Sequence, residues 1–92
     1  MAVEIDPDLI AQLRQLPKAD RRKVGSAIES VRANWGHPHL HVGAGIRRLG
    51  ADLHECRVGL HSRLLFQNVG SCLYFHFLGN HDAVQKFLRS HT

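Results

Sequence analysis

The sequence predicts an α+β fold in the order β-α-α-β-β-β-α, and three observations carry that prediction. Apolar residues recur with a period near 3.6 before Gly36 and with a period of 2 from Leu53 onward. Asp6-Pro7, Pro17 and Gly36 punctuate the first half where helices would start and stop. A chain of 92 residues can bury one modest two-layer core, so residues 1–92 are expected to form a single domain.

Each element follows from local chemistry. Val3 and Ile5 alternate with polar neighbours and make a short first strand. Asp6 then reads as a helix N-cap with Pro7 at the first helical position. Leu9, Ile10, Leu13 and Leu16 form one apolar stripe, and Pro17 ends it by biasing residue 16 out of the helical region. A second helix runs from about Lys18 to Asn34. It buries Val24, Ala27, Ile28, Val31 and Trp35 and leaves Arg21, Arg22, Lys23 and Arg32 on the surface. No helical period survives from His37 to Gly45, so that stretch is a loop or an irregular edge. Gly43-x-Gly45 lacks the Lys-Ser/Thr of a phosphate loop and reads as a bend. Residues 53–58, 62–69 and 72–78 are three strands, joined around Gly59 and Gly70 by connections short enough for antiparallel hairpins. Asn80 caps a last helix that turns Val84, Phe87 and Leu88 inward. The expected architecture is a four-stranded, mainly antiparallel sheet with three helices on one side.

Composition narrows the function classes. No apolar run approaches the roughly 18 residues of a membrane span. Glu4, Asp6 and Asp8 stand where a signal peptide would carry positive charge, so the expectation is a soluble cytoplasmic protein with no membrane partner. Two cysteines cannot build a disulfide scaffold, and the cytoplasm would keep them reduced. Cys56 lies on the predicted core face and Cys72 opens a strand; if they meet at all, it is on adjacent strands, as inert thiols. Twelve Lys and Arg against eight Asp and Glu leave a net charge of +4, which favours an anionic partner.

Alternation assigns the faces of the sheet. Cys56, Val58, Leu64, Phe66, Leu73, Phe75 and Phe77 share an apolar face that the helices must cover. The other face carries Glu55, Arg57, His61, Arg63, Gln67, Tyr74 and His76, with Leu65 as an apolar exception. Arginines, imidazoles and a tyrosine beside a single acid suit a phosphodiester backbone, transition-state charge or proton transfer. Plain solvation is the competing reading, because polar residues fill the open face of any such sheet. His37, His39 and His41 have the spacing of ligands on one strand face. Pro38 and the glycines nearby break such a strand, and no Cys-x-x-Cys or His-Glu-x-x-His accompanies them, so no metal site and no cofactor are expected.

Three segments taken together resemble a known family. Ile46-Arg47-Arg48-Leu49-Gly50 with Leu53-His54-Glu55-Cys56-Arg57-Val58 is similar to the stretch that precedes and enters the second strand of RelE/ParE-type toxins of bacterial toxin–antitoxin pairs. Ser62-Arg63-Leu64-Leu65-Phe66 resembles their third strand, and Leu78-Gly79-Asn80-His81-Asp82-Ala83-Val84 resembles the turn after their fourth. The likeness implies a RelE/ParE-like fold over nearly the whole chain. In look it is nearest the YafQ-like branch, which would make the chain a toxin with a cognate antitoxin, in a possible hetero-oligomer.

The family's catalytic members cut mRNA on the ribosome without a metal, through attack by the RNA's own 2′-hydroxyl, and so inhibit translation. The resemblance then implies an endoribonuclease (an mRNA interferase). Arg63 would hold the scissile phosphate with Arg57, and His61, His76 or His81 would move protons. Arg47, Arg48, Arg57 and Tyr74 are the expected RNA-binding residues, the arginines gathered around one sheet face. Arg57 stands where the YafQ-like branch usually has histidine and His61 where it has aspartate. The family aromatic near the start of the last helix falls at Gln85. These departures keep open the alternative of a ParE-like gyrase inhibitor or a non-catalytic toxin that acts by protein binding alone.

Overall fold

A computed structural model describes residues 1–90. Strand β1 (Ala2–Ile5) hands over to helix α1 (Pro7–Arg14) at Asp6, whose carboxylate accepts the Asp8 backbone N–H at 2.8 Å. Pro17 separates α1 from helix α2 (Lys18–Asn34). A single 3-10 turn, Pro38–Leu40, lies within the irregular segment that follows. Strands β2 (Ile46–Gly50), β3 (Leu53–Val58), β4 (Ser62–Val69) and β5 (Cys72–Gly79) form an antiparallel meander, and helix α3 (His81–Ser90) completes the order. Asn80 caps α3 through its side-chain oxygen, which accepts the Ala83 N–H at 2.8 Å.

The sheet has five strands in the order β1-β5-β4-β3-β2, with β1 parallel to β5. The expectation of four is corrected by β2, whose period-2 signal is broken. Its apolar residues, Ile46 and Leu49, are three apart, and the pairing with β3 shifts between Arg48 and Gly50. Gly45, just before this strand, has φ +75°, and a Cβ there would lie 3.2 Å from the Cβ of Arg57. Glycine lets the chain turn into the edge strand at that close approach.

The principal core lies under α1 and α2. Leu9, Val24, Ile28 and Val31 meet Ile46, Cys56, Val58, Leu64, Phe66, Leu73 and Phe75, all buried. Gln12 of α1 reaches past the end of β1 to the open edge of β5. Its Nε2 donates to the Leu78 carbonyl at 2.6 Å and its Oε1 accepts the Leu78 N–H at 3.3 Å. The amide group continues the strand ladder where β1 has stopped, leaving no unpaired backbone at Leu78.

The three helices do not share one side. Between β4 and β5 the register slips: Leu65 faces Phe77 while Phe66 faces Phe75, so His76 is the extra residue of a β-bulge. Beyond the bulge Phe77 falls on the face opposite Phe66, and Leu78 takes its place towards α1. Phe77 meets Phe87 of α3 at 5.0 Å between ring centroids. Leu65 and Val84 are wholly buried, outside the principal core. α3 therefore covers the second face of β4 and β5, and this explains Leu65, the apolar residue on a face expected to be wet. Cys56 on β3 and Cys72 on β5 are separated by β4, so they are not on adjacent strands; both are free thiols.

A measurement on Leu65 separates the two arrangements. Leu65→Ala is expected to cost about 2–5 kcal/mol in urea unfolding, the range for a buried leucine. On an open face the same change would cost less than about 0.5 kcal/mol.

Candidate active site

The site is built where β3, β4 and α3 meet. Val58 pairs with Ser62 across the hairpin, which places Gly59, Leu60 and His61 in its loop and Arg63 at the start of β4. Arg57 and Arg63 are direct cross-strand partners, and Arg63 pairs on its other side with Gly79. A Cβ at Gly79 would lie 2.8 Å from the Phe77 ring and 2.9 Å from Ala83, so only glycine lets α3 start this close to the sheet. That closeness brings His81 to Arg63. Leu60, His61, Arg63, Asn80, His81 and Asp82 line one open depression of about 470 Å³.

The charged groups of the depression are one guanidinium, Arg63, and one carboxylate, Asp82. Arg63 is half-buried, and its Nη1 donates to the Ser62 carbonyl at 3.2 Å, which restrains the guanidinium. His61 and His81 are exposed. Two imidazoles beside a restrained guanidinium supply a proton acceptor, a proton donor and an anion clamp in one place. Leu60, 85% exposed at the hairpin tip, joins the lining without any sequence signal. Alternation says nothing about a loop apex, so no pattern points to Leu60.

The other expected site residues lie elsewhere. His76, the bulge residue, has its Nε2 3.1 Å from Gln67 Oε1 and its ring 4.8 Å from Tyr74 and 5.7 Å from Phe87. The Tyr74 hydroxyl donates to Asp6 Oδ2 at 2.7 Å. That bond holds the Asp6 carboxyl below its ordinary pKa and raises that of the tyrosine. Tyr74 and His76 thus belong to the β1 side of the sheet. His76 is three residues along β5 from Gly79, or about 10 Å at strand rise.

Arg47 shares the face of Arg57 and Arg63, but Arg48 does not, because neighbours on a strand point oppositely. Arg48 pairs with His54, on the α2 side, and its Nε donates to the Ala51 carbonyl at 3.3 Å. The expected gathering of four arginines on one face is therefore a gathering of three. Glu55, expected on the wet face, is only 4% exposed; its Oε1 lies 3.4 Å from Arg47 Nε across the β2–β3 pair. Recognising Glu55 as a buried counter-ion requires knowing that β2 exists.

Of the remaining histidines, His41 and His54 pack into the fold. The His41 ring stacks on Trp35 at 5.4 Å and its Nε2 reaches the Asn34 carbonyl at 3.1 Å, at the C-terminal end of α2. The His54 ring lies between Trp35 (4.8 Å) and Phe66 (5.5 Å), with Nδ1 3.2 Å from the Asp52 carbonyl. Burial there holds the His54 pKa below the ordinary imidazole value. His37 and His39 meet each other edge to face, at 6.0 Å. Among the described residues no three His, Cys, Asp or Glu side chains gather as metal ligands would. The buried Cys56 thiol is pushed up to about 11 by desolvation and stays protonated at neutral pH.

Comparison with solved structures finds the same fold in toxins. RelE in the archaeal RelE–RelB complex of Pyrococcus horikoshii superposes with a TM-score of 0.67 at 20% identity, covering 86% of this chain and 92% of that one. The isolated RelE toxin of E. coli gives 0.64 at 12% identity over 99% and 98% of the two chains. YafQ of E. coli gives 0.61 at 18% over 89% and 94%. These likenesses establish an α+β fold of RelE/ParE type. No protein-family model matches the chain, and no curated protein matches it.

The His54 environment sets a pH dependence. The unfolded chain takes up this proton near pH 6.5, whereas the folded protein does so only at lower pH. Its contribution to stability is complete above about pH 6.5 and is lost as the pH falls below that value. The urea midpoint is expected to decline as the pH falls below about 6.5, and His54→Gln to flatten part of the decline. An identical pH profile in the variant would show that His54 titrates normally in the fold.

Proposed function

We propose that this chain is the toxin of a toxin–antitoxin pair and a metal-independent endoribonuclease that cuts mRNA on the ribosome. The observation that carries this reading is the convergence of Arg63, His61 and His81 on one depression, with Arg57 directly across the strand pair from Arg63. The fold likeness to RelE and YafQ supports it. Arg63 holds the scissile phosphate, and Arg57, its cross-strand partner, lines the neighbouring depression beside α2 and holds the adjoining backbone. His81, on the first turn of α3, accepts the proton of the substrate's 2′-hydroxyl as that oxygen bonds to phosphorus. The bond from phosphorus to the 5′ oxygen breaks, and His61 gives that oxygen a proton. The products are a 2′,3′-cyclic phosphate and a 5′-hydroxyl. His76 and Tyr74 stand outside this set and contribute through the packing of β5.

The partner in the resting cell is a cognate antitoxin, of the kind that RelB is in the antitoxin–toxin complex of Methanococcus jannaschii. An acidic segment of it would cover the Arg47, Arg57 and Arg63 face, with an association rate that falls as salt rises.

Two measurements test the nuclease. In single-turnover cleavage of ribosome-bound mRNA at saturating protein, Arg63→Lys is expected to lose roughly tenfold to a thousandfold in rate, because lysine cannot form two parallel hydrogen bonds to a phosphate. His81→Gln is expected to lose a similar factor, and the wild-type rate to vary between about pH 5 and pH 8. Unchanged rates in both variants would leave a binding protein of the gyrase-inhibiting or non-catalytic kind. Separately, cleavage is expected to survive EDTA wherever the ribosome does. Loss of cleavage that is restored by a metal bound to the protein would refute the metal-free scheme.

A further inference from the structure

The active-site depression is one end of a longer groove. A second depression, of about 280 Å³, shares Leu60 and His61 with it and extends to Leu16, Asp20 and Lys23 on the helical side. A third, of about 480 Å³, shares Lys23, Val58 and Gly59 with the second and continues along α2. The three adjoin one another through these shared residues, from the α2 surface past the hairpin tip to Arg63 and His81.

The far end of this path has a distinct chemistry. Its polar side chains are Arg22, Lys23, Ser26, Ser30 and Arg57, and no carboxylate lines it. Arg22, Ser26 and Ser30 recur every four residues, so they form one stripe about 12 Å long on α2. Ala27, Gly43, Ala44 and Gly59 are small enough to let a chain lie close to the protein. Cations alternating with hydroxyls over small residues are the donors used on phosphodiester backbones. An acidic peptide would answer the charge equally, and Ala27, Ala44, Cys56 and Val58 give this end apolar lining as well; RNA is favoured because the groove adjoins the depression of Arg63 and His81.

We propose that this groove is a track for single-stranded RNA, with a phosphate subsite at Arg22, Lys23 and Ser26 that holds the substrate away from the bond being cut. The inference rests on the nuclease reading for its direction but not for its test. The α2 end of the groove has no aromatic side chain, so that end grips the backbone and carries little base preference.

The test is fluorescence anisotropy of the full chain with a labelled, fully 2′-O-methylated oligoribonucleotide of mixed sequence. This probe cannot be cleaved, because the attacking hydroxyl is blocked. Arg22→Ala/Lys23→Ala is expected to weaken binding at least tenfold and to reduce the slope of log affinity against log salt by about 1.4, at about 0.7 for each phosphate that the protein then leaves unneutralised. Ser26→Asp, which puts a carboxylate into the track, is expected to weaken binding comparably, and Arg22→Lys/Lys23→Arg to restore it. Unchanged affinity and slope in the first two variants would overturn the track. So would a duplex of the same sequence, or a Glu-rich peptide, being the only probe that responds to them. Cleavage failure and track failure stay distinguishable. Wild type that cuts nothing but binds through Arg22 and Lys23 overturns the nuclease alone, whereas cleavage with indifferent binding overturns the track alone.

Discussion

Much of the molecule depends on one extra residue in β5. Without the bulge at His76, strict alternation would send Phe77 into the core under α1 and α2 and Leu78 to the opposite face. With it, β5 serves two helical layers: Leu73, Phe75 and Leu78 on one side, Phe77 on the other. Gln12 ties α1 to Leu78 immediately past the bulge, and Phe87 ties α3 to Phe77. The position of α3 then follows, and with it the placement of His81 beside Arg63. Tertiary packing at a bulge thus supplies the geometry of the candidate site.

The second constraint is electrostatic. Arg57 and Arg63 face each other across β3 and β4, a pairing that destabilises a sheet. Nearby, Arg47 has the Glu55 carboxylate, whose Oε2 is buried without a hydrogen-bond partner. A surface arranged for stability alone would alternate the charges across β3 and β4. Local inconsistency of this kind concentrates at functional sites.

Legibility followed the strength of each local signal. The caps at Asp6 and Asn80 were readable because a side-chain oxygen beside a helix start has one dominant use. Strands β3, β4 and β5 were readable from alternation and turn glycines. β2 was not, because a five-residue edge strand with an irregular register carries almost no period. Arg57, Arg63 and His81 were legible as site candidates from segment resemblance. Tyr74 and His76 were grouped with them only because alternation gives a face and no position along it.

The sequence by itself determined the element order, the helix caps, the principal apolar face and the excess of cations. These are local or periodic properties, encoded within a few residues of each other. Tertiary structure alone decided the fifth strand, the side taken by α3, the burial of Glu55 and the company each histidine keeps. Each of those depends on contacts between residues distant in sequence, such as Gln12 with Leu78, Tyr74 with Asp6 and Arg47 with Glu55. A one-residue slip reverses every side chain beyond it, so periodicity cannot foresee a site that a bulge creates.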